Sequence, residues 1–298
     1  MVRWWCIYRN RDYSPIQSFS YCSARRRNSS SIDITNNIVS AVNVVIGPGE
    51  TRTPVDIFSS TSAPPSSQYL FAIGSSQGIL LIDKDLDTTW MQHQPSVNPD
   101  NHPRDVFALD FHPNHKDILL TGERRGILNA IDFRQPPFGY AAKKIQHTSR
   151  ITYIKCLDEH RILVAGSVSD LCQYDKRFLK QNTDPVPSHK NKNTGRHTTS
   201  YLTYPNHRDN GNPHVGLDVD LELGIIATGH FNKIRLFSLH GGQVLKDLNL
   251  PDPDAPYGFP QRPLDVECLK FVQDTRNQPK SLWASFPKRS RLVRFSFN

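Results

Sequence analysis

Short apolar runs alternate with short polar turns along this chain, and one arrangement of the two recurs. An apolar run ending in a small residue is followed by a polar turn. A second run then closes on an aromatic or aliphatic residue and Asp or Ser. The clearest copies are FAIGSSQGILLID at 71–83, LLTGERRGILNAID at 119–132 and LVAGSVSDLCQYD at 163–175. Two more are IATGHFNKIRLFS at 226–238 and LWASFPKRSRLVRFS at 282–296. Runs this short, rich in Ile, Leu, Val and Phe and joined by Gly or polar residues, predict β-hairpins. A further strand is expected ahead of most of them, as in Val106–Phe111, Ile151–Cys156 and Val266–Phe271. The N-terminus holds part of another copy, with runs at Trp4–Tyr8 and Ile16–Tyr21 but no leading strand.

The copies end at Asp83, Asp132, Asp175, Ser238 and Ser296, separated by 49, 43, 63 and 58 residues. That spacing fits propeller blades of about 40–45 residues with insertions. Two stretches read as flexible insertions. Residues 47–67 are rich in Pro and Ser, and residues 178–215 are rich in Lys, His, Asn and Pro.

Runs such as ILLTG at 118–122 and IIATG at 225–229 are apolar on both faces of the pleat. A lone sheet leaves one of those faces in water, whereas radial stacking covers both. A β-sandwich would not explain a hairpin that recurs five times with one internal pattern. The expectation is an all-β WD-repeat propeller of six or seven blades, short at its N-terminus, in a single domain over 1–298.

Composition narrows the picture. Of 298 residues 37% are hydrophobic, mean hydropathy is −0.52, and no apolar run reaches membrane-spanning length. The first residues lack the apolar stretch of a signal peptide. The five cysteines are odd in number and form no CxxC pair, so neither a disulfide framework nor a zinc module is indicated. Cys156, Cys172 and Cys268 read as small core residues in a reducing compartment, which places the chain in the nucleus, the cytoplasm or both.

Enzyme signatures are poor. GxSxG, P-loop, HExxH and GxGxxG patterns are all missing from the sequence, so no catalysis and no cofactor is expected. His112 and His115 in HPNH have metal-like spacing but read as a turn between strands, and no metal is expected.

Two features point to binding. The copies ending IDFR and YDKR place Arg134 and Arg177 two residues after Asp132 and Asp175, in consecutive repeats. Planar guanidinium forks on neighbouring blades suit carboxylates or carbonyls of a partner, while a local ion pair with the neighbouring Asp is the plain alternative. The turns inside the hairpins carry Arg124, Arg125, Lys233, Lys288 and Arg289, and the net charge is +8. Gathered on one face, these would suit an acidic partner or nucleic acid. Solvated turns are the alternative, and no interleaved aromatics strengthen a case for RNA.

The IDFR and YDKR endings resemble the D-x-R box of WD-repeat substrate receptors for cullin-4 ubiquitin ligases, the damaged-DNA-binding-protein-1 and cullin-4 associated factors. The likeness runs through DVFALDFHP, GERRGILNAIDFR, ITYIKCLDEHRILVAGSVSDLCQYDKR and LELGIIATGHFNKIRLFSLHGGQVLKDL. It covers about residues 105–250, more loosely 264–297, and poorly 1–67. Ile131 stands where the family has Trp or Tyr, and Lys176 where it has an aliphatic residue. The resemblance implies a seven-bladed propeller that docks on the ligase adaptor, in a complex with cullin-4, and presents a protein substrate. Asp132, Arg134, Asp175 and Arg177 would then contact the adaptor.

Overall fold

The computed structural model describes strand backbones at 2–7, 16–24 and 38–45. Beyond these it describes 56–91 except 77, 105–135, 139–140, 145–182 except 168–169, and 197–207 except 206. Towards the C-terminus it describes 216–250 except 231–232, then 266, 268–273, 279–286 and 291–296. The chain divides into two compact units, Met1–Asp56 and Ile57–Asn298.

In the first unit Val2–Ile7, Ile16–Ala24 and Ile38–Val45 form a three-stranded antiparallel sheet. The first two strands are the N-terminal runs read from the sequence. The third had no counterpart in that reading.

The second unit is a series of antiparallel sheets, each built as a meander. The first sheet holds Ile57–Ser62, Tyr69–Ser75, Gly78–Asp83 and Thr88–Met91. The second holds Val106–Phe111, Ile118–Glu123 and Ile127–Asp132, with two short pieces, Gly139–Tyr140 and Ile145–Gln146, sharing the outer edge of its third strand. The third holds Ile151–Cys156, Arg161–Gly166, Leu171–Asp175 and Leu202–Thr203. The fourth holds Leu217–Asp220, Ile225–His230, Lys233–Ser238 and Val244–Asn249. The fifth holds Cys268–Val272, Ser281–Phe286 and Arg291–Ser296. All five recurring hairpins therefore form, each as the second and third strands of its own sheet. Among the described residues the one helical element is a 3-10 turn, Lys176–Phe178, so no helix is long and apolar enough to cross a membrane.

Consecutive sheets pack face to face, and an apolar cluster fills each of the four junctions. Ala72, Leu81 and Met91 of the first sheet meet Val106, Phe111 and Ile131 of the second. Leu120, Leu128 and Ile145 meet Ile154, Val164 and Tyr174. Leu163 and Tyr204 meet Ile226 and Phe237, and Ile234 and Leu236 meet Leu269 and Leu282. This is why the central strands are apolar on both faces: Leu119, Leu120, Leu163, Val164, Ile226 and Ala227 are all buried. Each fully buried aliphatic side chain contributes roughly 1.5–3 kcal/mol, and two covered faces double the number that one strand can bury.

Polar clamps fix the stacking. Asp110, at the end of its strand, accepts from the Lys155 ammonium at 3.1 Å and the Cys156 backbone N–H at 2.7 Å on the next sheet. Asp218 repeats the arrangement two sheets on, with Lys270 at 3.0 Å and the Phe271 N–H at 2.8 Å. Tyr204 donates its hydroxyl to the Leu239 carbonyl at 2.7 Å. Tyr69 packs edge-on against Phe133 at 4.8 Å, and Lys280 reaches Asp220 at 2.7 Å. Together these contacts bring the ends of all the third strands to one rim.

Three readings need correction. Ile57–Ser62, inside the stretch 47–67, is the leading strand of the first sheet, so that stretch is not all loop. Within 178–215, Gln181–Asn182 pairs with His197–Thr198, Leu202–Thr203 completes the third sheet, and Thr198, Tyr204 and His207 are buried. Cys156 and Cys172 are buried as expected, but Cys268 is exposed. It lies on a strand whose alternate residues Leu269 and Phe271 face the fourth junction, which turns Cys268 the other way.

Candidate protein-docking rim

The third strands of the second and third sheets end in the same local structure. Asp132 accepts the Arg134 backbone N–H at 3.0 Å and Arg134 Nε at 2.8 Å through Oδ1, and Arg134 Nη2 at 2.6 Å through Oδ2. Asp175 does the same for Arg177, at 2.9, 3.0 and 2.6 Å. The reason is local. A strand-ending Asp satisfies the backbone N–H two residues on, as Asp residues do in turns. That turn brings the next-but-one side chain back over the carboxylate, and an Arg there closes a bidentate fork. The plain alternative weighed from the sequence, a local ion pair, is therefore present in both copies.

The pairs are lopsided. The Arg134 and Arg177 side chains are 65% and 54% exposed, against 17% and 3% for Asp132 and Asp175. The carboxylate lies inward and the guanidinium outward. Hydrogen bonding to Arg134 holds the Asp132 carboxyl down at about 2, and Arg177 holds Asp175 at about 2, so both stay ionised near neutral pH. Each guanidinium is thereby oriented without being covered, and among the described residues its Nη1 has no acceptor.

Other strand ends on this rim keep the turn and lack the fork. Asp83 accepts the N–H groups of Asp85 and Asp87, each at 2.9 Å, and Ser238 accepts the Gly241 N–H at 3.2 Å. Phe178 and Tyr201 border Arg177 and were not found from the sequence. The Arg177 guanidinium carbon lies 5.3 Å from the Phe178 ring centre. Tyr201 is held by its N–H to the Gln173 carbonyl at 2.8 Å. Adjacency to the D-x-R box could have flagged Phe178, whereas nothing local flags Tyr201.

Of the described basic residues at the opposite rim, Arg124 and Lys233 are engaged by carboxylates. Arg124 pairs with Asp105 and lies over the Phe107 ring at 5.3 Å, sharing that ring with Arg150 at 4.9 Å. Lys233 is 2.6 Å from Asp247, which Arg235 also binds, at 2.7 Å. Arg125 is exposed. Lys288 and Arg289 lie outside the described residues.

Beneath that rim a polar network surrounds the buried His147. His147 sits 2.8 Å from the Tyr174 hydroxyl through Nδ1 and 3.0 Å from Asp170 through Nε2. Ser149 and Thr148 both donate to Asp170. Burial works against the imidazolium, but Asp170 and Cys172 together outweigh it and raise His147 to about 10. The network ties the turn before the third sheet to its second hairpin loop. The HPNH histidines lie with their rings tilted at 50° and their centroids 4.5 Å apart, and His112 Nδ1 accepts the Asn114 N–H at 3.2 Å. Among the described residues no three His, Cys, Asp or Glu side chains gather as for a metal ion.

No family model matches the chain. The protein DDB1- and CUL4-associated factor 4 of Bos taurus is 28% identical over 146 residues, which are 48% of this chain and 26% of that protein. The chain thus matches about a quarter of that relative's length. Among solved structures, the β-propeller domain of Myceliophteria thermophila Cps50 (Swd1) superposes with a TM-score of 0.58 at 12% identity, over 95% of this chain and 80% of that one. The stacked antiparallel sheets of this chain have the fold of an all-β propeller.

Proposed function

We propose that this chain is a non-catalytic WD-repeat scaffold that serves a cullin-4 ubiquitin ligase as a substrate receptor, docking on its DDB1 adaptor through Arg134 and Arg177. The observation that carries the reading is the repeated fork. On two successive sheets an inward carboxylate, half-buried in Asp132 and buried in Asp175, fixes a guanidinium that stays more than half exposed and points outward. A preoriented Arg loses little conformational freedom when it meets an acceptor, so its hydrogen bonds to a partner count almost in full. The partial likeness to a DDB1- and CUL4-associated factor supports the same partner class. Ubiquitin transfer would fall to other subunits, and this chain would supply proximity.

Co-purification with DDB1 tests the reading. An Arg134→Ala/Arg177→Ala variant that keeps the wild-type melting profile is expected to lose the adaptor. Unchanged recovery of DDB1 by that variant would remove the assignment. The alternative is an RNA- or ribonucleoprotein-associated propeller using the basic face. It has less behind it, because Arg124 and Lys233 are already engaged by Asp105 and Asp247.

A further inference from the structure

Apolar exposure in the second unit is one-sided. Eight large apolar side chains among its described residues are exposed, and seven of them sit toward the rim where the third strands end. Phe178, 67% exposed, closes the 3-10 turn capped by Asp175, and Tyr201, 63% exposed, precedes the strand beside it. On the neighbouring fourth sheet Leu221 and Leu223 form the turn between the first two strands, and the outer strand opens on two more exposed residues. Leu86 follows Asp83 on the first sheet. Of the eight, Leu292 alone lies toward the opposite rim, at the start of its strand. Scattered single exposures need no explanation, but a one-sided set beside two oriented guanidiniums does.

We propose that this rim is one docking surface, centred on Arg177, Phe178 and Tyr201 and continuing to Arg134 on one side and to Leu221 and Leu223 on the other. Its occupant is a second protein that presents acidic side chains interleaved with apolar ones. The inference rests on the adaptor reading above and adds the apolar half of the same site.

Charge selects that occupant. Each Asp–Arg pair is neutral as a unit, so the two boxes set up no long-range field of the kind that draws a polyanion. At short range each presents the unpaired Nη1 donors of an outward guanidinium, which a single carboxylate can accept. The rings of Phe178 and Tyr201 offer rigid apolar area beside the Arg177 donors. Arg, Tyr and similar anchors ringed by lesser contacts make up the energetic centre of protein interfaces.

Titration of purified DDB1 onto the full chain tests this, using Phe178→Ala/Tyr201→Ala, Arg134→Ala/Arg177→Ala and Leu292→Ser as a control on the other rim. Both rings are exposed, so the aromatic variant is expected to melt as wild type does. It is expected to weaken DDB1 binding by about tenfold or more, with the control unchanged. Binding within about twofold of wild type by the aromatic variant, while the arginine variant loses DDB1, overturns the apolar half and leaves the adaptor reading in place. If wild type fails to bind DDB1, or the arginine variant binds normally, the adaptor reading falls and this one with it. Self-association in sedimentation that the aromatic variant abolishes would assign the surface to a second copy of this chain, and would also overturn the proposal.

Discussion

Asp110 binds the backbone N–H of Cys156 at 2.7 Å across the junction of two stacked sheets. The same carboxylate takes the Lys155 ammonium at 3.1 Å. Burial pushes the Asp110 carboxyl up, and Lys155 with the Cys156 N–H pulls against that. The clamp thus joins two strands that have no ladder between them.

Replacing Asp110 with Ala leaves the buried Cys156 N–H without its acceptor. A loss of about 1–3 kcal/mol is expected in chemical denaturation. Asp110→Asn keeps an acceptor and gives up only the charge, so it is expected to lose less. Equal stability of the alanine variant and wild type would show that the clamp is not needed.

The His147–Asp170 pair makes stability depend on pH at both ends. His147 is raised to about 10, so its contribution is complete below its ordinary value near 6.5 and is lost as pH rises through about 10. Asp170 is lowered: burial raises it, but its bonds to His147, Thr148 and Ser149 outweigh that. Its contribution is present above the usual 3.8 and is lost as pH falls through the depressed value. Asp170→Asn, which leaves a buried imidazolium uncompensated, is expected to cost about 3–5 kcal/mol at neutral pH. In melts across pH, its deficit against wild type should shrink above pH 10 and in strong acid. A deficit that stays constant from neutral pH to pH 11 would mean that His147 does not hold the proton.

Gly126 has a φ of +76°, and its carbonyl accepts the His147 N–H at 2.7 Å. A Cβ there would stand 2.5 Å from the Ser149 carbonyl oxygen and 2.7 Å from that of His147. Both are backbone atoms and cannot swing away. Gly126→Ala is expected to destabilise by about 2 kcal/mol or more, read from the denaturation midpoint. A neutral result would mean that the turn before the third sheet moves freely.

The Tyr204 hydroxyl is shared between Gln173 and the Leu239 carbonyl and joins the third sheet to the fourth. Tyr204→Phe keeps the ring against Phe237 and removes only the oxygen. A cost of about 1–2 kcal/mol is expected, with the same unfolding cooperativity. No change in midpoint would place the stability of this junction in its apolar contacts alone.

The five hairpins were legible because each carries its own signal: a double-faced apolar strand, a polar turn, and Asp or Ser at the far end. The D-x-R boxes were legible for the same reason, being local. Ile57–Ser62 was not legible, because IFSSTS has two apolar residues and the remainder of a polar loop. It becomes a strand through pairing with Tyr69–Ser75 and packing against the second sheet, including the Phe58–Phe107 stack at 4.3 Å. Leu202–Thr203 is two residues long and gains its place from the edge of Leu171–Asp175. No periodicity marks so short a segment.

Taken alone, the sequence determined the repeating unit and the two boxes. Hairpin formation and the Asp-to-Arg turn depend on residues within a few positions of each other. The tertiary structure decided what those units do together. It set Asp110 against Cys156 and brought the strand ends to one rim. It also left Phe178, Tyr201, Leu221 and Leu223 in water while similar residues went into the junctions. An apolar side chain reads the same in a string of letters whether it is covered or bare, because covering comes from a neighbour far away in the chain.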